Sequence, residues 1–241
     1  MTLKLRFSLI GIGIVIFLII TPVLVLYARG FTIDWHNKKI VKTGAVVIKT
    51  DPAKALVFLN GKLQANLTPR NIRFLSPGDY DIRIEKDNYQ PWTKRLTVKS
   101  QLVTWVNANR EFITLFLKQP KLIETRPPDL EQKNLPEVDP TSQIPQISSN
   151  GNEIFFSDPV NSSTPDLILR SISPIANVKL NLYTGFIFFQ NEGKIKAIEL
   201  DGRDQRNIFT LVDVGKDFTV DAKGEKLSVI GETEIKVYQI R

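Results

Sequence analysis

Residues 51–61 read DPAKALVFLNG: a proline, a short apolar run and then an Asn-Gly pair. The apolar run from Ala55 to Leu59 has the length and composition of a β-strand. Asn60 and Gly61 accept the positive φ values that a tight hairpin turn requires, so the pair predicts a β-hairpin. The stretch therefore predicts the opening of a small β module, in preference to a loop that carries reactive groups.

The chain around this stretch continues the β pattern from residue 44 to residue 118. The runs GAVVIKT, NIRFLS, YDIRIEK and KRLTVKS are rich in residues that favour strands, and turn residues separate them. Tyr80, Ile82 and Ile84 alternate with charged residues, so this strand has one largely apolar face. Such alternation indicates sheets that are buried on one side, and residues 44–118 are predicted to form a small β-sandwich.

An ordered set of motifs gives this region a family resemblance. From Gly44 to about Val106 the chain resembles the PEGA domain, a β-sandwich module of bacterial and archaeal envelope proteins that is named for a Pro-Glu-Gly-Ala sequence before its second strand. Here that sequence is Pro52-Ala53-Lys54-Ala55. The resemblance implies structural roles for the residues that match the family: Pro52, Ala55, Asn60, Gly61, Thr68, Pro69, Pro77, Gly78 and Tyr80.

Lys54 departs from the family pattern, which has glycine at this place. Glycine adopts positive φ values without a steric penalty. A lysine here implies either that the turn does not need a positive φ or that it tolerates some strain.

The segment from Phe7 to Ala28 contains no charged residue. About 20 apolar residues suffice to cross a bilayer as a helix, and Pro22 is predicted to kink that helix. The alternative is a cleaved signal peptide, whose apolar core would be about 7 to 15 residues long and would end in a small-residue cleavage motif. The apolar run is longer than that, and Leu26-Tyr27-Ala28 has a large residue where a small one is required. Residues 7–28 are therefore predicted to be a single uncleaved transmembrane helix, with the lipid bilayer as partner.

Basic residues flank this apolar segment on both sides. Of the net charge of +7, residues 1–43 carry +5, because six basic residues oppose Asp34 alone, and the rest of the chain carries +2. The tail 1–6 and the juxtamembrane segment 29–43 therefore match anionic lipid head groups better than nucleic acid, and no nucleic-acid partner is predicted. Phe31 and Trp35 are candidate aromatic anchors at the interface. The basic residues do not decide which side of the membrane the remaining chain faces.

Beyond residue 118 the composition changes twice. Residues 119–146 hold six of the 14 prolines, which predicts a Pro-rich linker or an extended strap.

Residues 147–241 return to short strand candidates separated by glycine turns, and they resemble blades of a TolB-like or WD-type β-propeller. About 95 residues suffice for two blades or slightly more. Two blades are too few to close the usual ring of four or more, so residues 147–241 are predicted to form a partial propeller. The alternatives are another kind of sandwich or a fragment that other chains complete. The predicted fold class is mainly β: one transmembrane helix, a small sandwich and a second β-rich domain.

Few residues of the sequence are candidates for catalysis, disulfide formation or metal binding. The chain has no cysteine, which excludes disulfides, thiolate metal sites and cysteine nucleophiles. Its one histidine, His36, has no nucleophile or metal-ligand partners in an evident arrangement. The loop from Asp201 to Asp204 lacks the alternating oxygen ligands of an EF-hand and is interpreted as a β-turn. Nucleophile-elbow, phosphate-loop and zincin motifs do not occur in the sequence. No catalytic, cofactor-binding or metal-binding residue is predicted.

The predicted function is accordingly a membrane-anchored, non-catalytic protein of the bacterial cell envelope that binds a protein or a polysaccharide outside the cell. Four aromatic residues could form a binding platform, with core packing as the alternative: Tyr80, Tyr89, Trp92 and Trp105. A second hypothesis is a scaffold or sensor that is held at the membrane and faces the cytoplasm. A third is a glycan hydrolase that uses a pair of carboxylates.

Overall fold

The structure, a computed structural model, describes residues 3–34, 39–108, 111–128, 145–160 and 164–241. It begins with helix α1 (Leu3–Ala28), which contains Pro22. Within α1 the stretch Ile10–Ala28 has a mean hydropathy of 2.7, and none of it is buried in the protein. The predicted apolar helix is confirmed. Its length and composition fit a membrane span, although a signal sequence at an N-terminus has the same character.

A short hairpin follows the helix. Strands β1 (Phe31–Asp34) and β2 (Lys39–Lys42) pair antiparallel, with Phe31 opposite Lys42. Thr43 closes the hairpin onto the helix end, because its backbone amide and its hydroxyl both donate to the carbonyl oxygen of Gly30 at 2.8 Å. The predicted anchor Trp35 and the single histidine, His36, lie outside the described residues.

Residues 44–118 fold as the predicted β-sandwich, here called the sandwich module. One sheet has the order β10-β3-β7, the other has the order β6-β5-β8-β9, and a short parallel pair joins β4 to β11. The strands are β3 (Gly44–Ile48), β4 (Thr50–Asp51), β5 (Leu56–Leu59), β6 (Lys62–Leu63), β7 (Arg70–Leu75), β8 (Gly78–Glu85), β9 (Trp92–Val98), β10 (Val103–Trp105) and β11 (Ile113–Thr114). The alternation predicted for β8 is confirmed, because Ile82 and Ile84 are buried in the core and Tyr80 is half-buried.

The opening stretch forms the turn, strand and hairpin corner that its sequence predicts. Asn60 and Gly61 have φ values of 48° and 75°, and they join β5 to β6 with Phe58 opposite Leu63. Pro77 and Gly78 serve a different purpose from a hairpin turn, because β7 and β8 belong to different sheets. They carry the chain from one sheet of the module to the other, and Gly78 has a φ of 149° that few other residues adopt.

Buried Thr68 is hydrogen-bonded to Ala55, another of the family-motif residues. Its hydroxyl lies 2.6 Å from that of Thr50 and accepts a hydrogen bond from the amide of Ala55 at 2.9 Å, while its own amide donates to the carbonyl of Ala55 at 3.0 Å. Both Pro52 and Pro69 follow cis peptide bonds on either side of this contact. The hydrogen bonds between Thr68 and Ala55 therefore fix the turn that begins the second sheet.

Lys54 adopts a φ of 64°, so the turn keeps the left-handed conformation although glycine is absent. Of the two alternatives that the sequence left open, a tolerated strain is the correct one. Lys54→Gly is therefore expected to raise the free energy of unfolding by about 0.5–1 kcal/mol, since relief of the left-handed penalty exceeds the added entropy of an unfolded glycine. Thermal unfolding of the full chain in detergent micelles measures this change.

Lys62→Gly is the matched control for this substitution. Lys62 is exposed in β6 and has no positive φ, so glycine there should lower stability. A Lys54→Gly chain that melts no higher than the Lys62→Gly chain would contradict the strain interpretation.

The C-terminal β domain comprises β12 and residues 145–241. Three antiparallel sheets form it, with the orders β13-β14-β15, β16-β17-β18-β19 and β12-β22-β21-β20. The strands are β12 (Lys121–Arg126), β13 (Gln146–Ser149), β14 (Glu153–Ser157), β15 (Asp166–Arg170), β16 (Ile175–Asn181), β17 (Phe186–Asn191), β18 (Lys194–Glu199), β19 (Ile208–Asp213), β20 (Asp217–Val220), β21 (Lys226–Ile230) and β22 (Ile235–Gln239). The described strands do not close a ring, and the likeness to propeller blades stays a prediction.

Strand β12 begins inside the segment that the sequence predicts to be a linker. It pairs antiparallel with β22 and forms an edge of its sheet, with Lys121 opposite Gln239 and Arg126 opposite Ile235. All of its side chains are exposed, so its composition resembles that of a linker. The prolines at 120, 127 and 128 flank the strand without interrupting it, which is where an edge strand tolerates them. Residues 129–144 of the predicted linker lie outside the described residues.

One hydrophobic core extends through both the sandwich module and the C-terminal β domain. Phe116 is fully buried, and its ring centroid lies 5.0 Å from that of Phe186, 5.9 Å from that of Phe188 and 5.4 Å from that of Phe209. A smaller second cluster lies within the C-terminal β domain, around Ile187 and Phe189. The module and the domain therefore pack as one body.

Candidate functional site

A buried lysine lies at the junction between the sandwich module and the C-terminal β domain. Lys94 belongs to β9, and its side chain has no exposed surface. Its Nζ lies 2.9 Å from Oε2 of Glu199, donates to the backbone oxygen of Asp201 at 2.8 Å and lies 3.6 Å from Oδ2 of the same residue. One charge of the module is thus held by two carboxylates of the domain.

Glu199, the last residue of β18, has hydrogen-bond donors for both of its carboxylate oxygens. Oε1 accepts from Nε1 of Trp92 at 3.2 Å, and Oε2 accepts from Nδ2 of Asn207 at 3.0 Å as well as from Lys94. A buried charge needs such partners to offset the loss of hydration.

Asp201 is equally well partnered. The Arg203 guanidinium binds both of its oxygens, its Oδ1 accepts from the Arg203 amide at 3.0 Å, and its Oδ2 accepts from the Ala108 amide at 3.2 Å. Burial acts most strongly on this carboxyl and would raise its pKa. The hydrogen bonds from Arg203 and the charges of Arg203 and Lys94 together outweigh burial, so the pKa of Asp201 lies below its ordinary value of 3.8.

This lowered pKa predicts an acid-dependent loss of stability. The unfolded chain takes up the proton first, so Asp201 contributes stability above pH 3.8 that is lost as the pH falls further toward its folded pKa. Asp201→Asn removes that contribution. The difference in unfolding free energy between the wild type and this variant should therefore shrink between about pH 5 and pH 3 in urea titrations.

Asp213→Asn is the control for the acid experiment, since the Asp213 carboxylate is exposed on β19. This variant controls for the loss of a surface carboxylate and for the general effect of acid on the fold. If the Asp201→Asn difference stays constant with pH, the pKa of Asp201 is the same in the folded and the unfolded chain, and the network is described wrongly.

A cleft of about 640 Å³ opens over this network. The module contributes one wall from β5, β8 and β9, and the loop that follows β18 contributes the other. The principal lining residues are Phe58, Asp81, Arg83 and Arg95 on the module and Asp204, Gln205, Arg206 and Asn207 on the loop.

Contacts across the cleft hold the two walls in position. The Asp204 carboxylate accepts from the Arg95 amide at 2.8 Å, and the Asn207 amide nitrogen donates to the carbonyl of Thr93 at 3.1 Å. On the module wall Arg95 forms two hydrogen bonds to Asp81, at 2.6 and 3.1 Å. Hydrogen bonding by the Arg95 side chain is the main reason that the pKa of Asp81 is lowered. The cleft therefore has fixed walls that expose both positive and negative side chains.

Arg206 is the least committed cation of the cleft. Its guanidinium lies across Gly202, where an added Cβ would meet Nη2 at 2.6 Å. Its Nε is buried and has no hydrogen-bond partner among the described residues. A ligand with acceptor groups could use the donors of this side chain.

The four aromatic residues proposed as a platform do not share one exposed surface. Trp92 is fully buried in the shared core, while Tyr80 and Tyr89 are half-buried against it. Trp105 is 40% exposed on β10, with Nζ of Lys49 at 5.4 Å from the centroid of its ring. Core packing therefore describes three of the four better than a binding platform does.

Sequence reasoning missed Lys94, Glu199 and Asn207. A signal for Lys94 was present, because it has the same parity along β9 as the buried Trp92 and Leu96, so the strand period points its side chain inward. The partners could not be found in this way, because Lys94 and Asp201 lie 107 residues apart. The sequence predicts a β-turn at Asp201 and gives no sign of burial, whereas the structure buries this residue.

A metal ion needs several ligating side chains close together. In the part of the chain that the structure describes, no group of three or more His, Cys, Asp or Glu side chains is arranged to hold a metal ion. The buried carboxylates of Glu199 and Asp201 are committed to protein donors.

The arrangement as a whole is that of a helix-tethered protein with two joined β units. Residues 43–111 match the family model of the PEGA domain, so the chain contains a PEGA domain. The match ends before β11, helix α1 and the C-terminal β domain lie outside it, and a search of the curated proteins gave no match.

Proposed function

We propose that this protein is a non-catalytic, membrane-anchored component of the bacterial envelope that binds a polysaccharide or a protein in the cleft between its PEGA domain and its C-terminal β domain. The observation that carries the proposal is the cleft itself. Its floor is a fully partnered ion network and its walls are bonded to each other, so the binding surface is ordered before a ligand arrives.

The charge of the cleft favours an acidic ligand. Three guanidinium groups, those of Arg83, Arg95 and Arg206, face two carboxylates, those of Asp81 and Asp204. Guanidinium groups bind carboxylates and phosphates in a planar, two-pronged geometry. An acidic glycan or an acidic protein segment therefore suits the cleft better than a basic one.

Helix α1 supplies the anchor in this proposal. Its apolar stretch lies outside the folded body, and basic residues follow it at Arg29, Lys39 and Lys42. Such a helix gains its stability from lipid, and the flanking cations suit anionic head groups. The family resemblance favours a location of both β units outside the cell.

The absence of catalysis is also part of the proposal. A glycosidase needs one carboxyl that can donate a proton and a second that is free to act on the sugar. Glu199 and Asp201 are the carboxylates that the fold brings together beneath the cleft, and protein donors bind the oxygens of both.

A reporter fused after Arg241 tests the orientation. Alkaline phosphatase at this position should be active, since it folds only after export, and a green fluorescent protein at the same position should be dark. The reverse pattern would place both β units in the cytoplasm and would favour the scaffold or sensor hypothesis.

Capture of ligands from solubilised envelope fractions by the full chain tests the binding site. Arg206→Gln should weaken capture about tenfold, which is the value of one charge-assisted hydrogen bond. Arg73→Gln is the control, since Arg73 is exposed on β7 and does not line the cleft. Equal capture by both variants would mean that the ligand binds outside the cleft.

A further inference from the structure

The end of helix α1 is fixed to the PEGA domain by an aromatic contact. The rings of Tyr27 and Phe74 stack at a centroid distance of 5.0 Å with 18° between their planes. Phe74 has a φ of 59°, which is unusual for a bulky residue and must be held by its surroundings. A strained residue thus places its ring against the last turn of the helix.

Backbone hydrogen bonds bring a second segment of the PEGA domain to the same place. Thr43, which bonds to Gly30 at the helix end, accepts from the amide of Gln101 at 2.9 Å. The next residue, Leu102, accepts from the amide of Ala45 at 3.1 Å. The loop before β10 therefore lies next to the point where the chain leaves the helix.

Exposed apolar side chains lie at the end of the PEGA domain that contacts helix α1. Leu102 and Val103 are each 55% exposed, and Phe74 is 47% exposed. Single exposed apolar residues are ordinary on a protein surface. These three lie on the two segments that adjoin the end of a membrane-length apolar helix. Lys99 is close to Leu102 in the chain, and Lys42 precedes Thr43, which accepts a hydrogen bond from Gln101.

We propose that Phe74, Leu102 and Val103, here called the membrane pole, enter the head-group region of the bilayer, so that the PEGA domain rests directly on the lipid surface. This proposal rests on the membrane anchor of the proposed function. The apolar side chains continue the surface of the helix, while Lys42 and Lys99 supply the positive charge that anionic lipids attract. The domain is then held against the membrane at two points, the helix and the pole.

Site-directed labelling tests this proposal cleanly, because the chain has no cysteine of its own. Single cysteines at Leu102 and Val103 carry a nitroxide label in the full chain, reconstituted in nanodiscs that contain phosphatidylglycerol. Leu63→Cys is the matched control: it is 56% exposed, and it lies opposite Phe58, which pairs with Arg83. Gly78, at the other end of β8, pairs with Val98 beside Lys99, close to the membrane pole. At about 3.3 Å per residue, Arg83 lies about 16 Å along β8 from Gly78, so the Leu63 label lies well away from the pole. Ile16→Cys reports on the helix.

Labels at Leu102 and Val103 should collide with oxygen more often, and with a water-soluble nickel chelate several-fold less often, than the label at Leu63. If they match Leu63 while the Ile16 label is in lipid, the membrane pole is wrong and the anchor stands. If the Ile16 label is also in water, the anchor and the pole both fail. Melting temperatures of the labelled chains show whether each variant is folded.

Discussion

Replacement of Lys94 by methionine is expected to lower the free energy of unfolding by about 3–5 kcal/mol. Methionine has a similar shape but carries no charge. Glu199 would then keep its hydrogen bonds from Trp92 and Asn207 but would lose the cation that offsets its burial. Urea unfolding of the full chain in detergent micelles, followed by tryptophan fluorescence, measures the loss.

Arg95→Met is a closely matched control. Arg95 is the next residue on β9, but its side chain points outward and pairs with Asp81, and both partners are 61% exposed. Exposed ion pairs contribute about 0–1 kcal/mol. Adding Glu199→Gln to Lys94→Met should recover a large part of the loss, because the amide is neutral and still accepts from Trp92. Equal losses for Lys94→Met and Arg95→Met would contradict the buried network.

The parts of the fold that could be predicted from the sequence depend on neighbours in the chain. Asn60 and Gly61 specify a hairpin through their own φ values, and the alternation in β8 identifies its buried face. The apolar helix follows from the uninterrupted run before Arg29. Each of these predictions needed a window of about 20 residues or fewer.

The joining of the two β units could not be predicted in this way. Strand β12 has exposed side chains throughout, so its position at the edge of the last sheet depends on backbone hydrogen bonds to β22 rather than on an apolar pattern. The cleft depends on Asp204 and Asn207 meeting β9, more than a hundred residues earlier in the chain. Sequence periodicity carries no information about such pairs.

Phe116→Ala is expected to lower the free energy of unfolding by about 3–5 kcal/mol and to separate the unfolding of the two β units. Phe116 fills the core that they share, and its backbone oxygen accepts from the Gln90 amide of the PEGA domain at 2.8 Å. The next residue, Leu117, donates to the carbonyl of Ile240 in the C-terminal β domain at 2.9 Å. The substitution leaves these backbone bonds in place and removes the ring that both units pack against.

Hydrogen exchange measures this separation directly. In the wild type β9 and β17 should become exposed to exchange in one event, because a single core contains both. In Phe116→Ala they should exchange at different rates. Phe112→Ala is the control, since Phe112 is half-buried and its ring meets Tyr183 at 5.5 Å, outside the shared cluster. It should cost about 1 kcal/mol and keep the single event. If Phe116→Ala also keeps a single event, then the ion network around Lys94, and not the aromatic core, joins the two units.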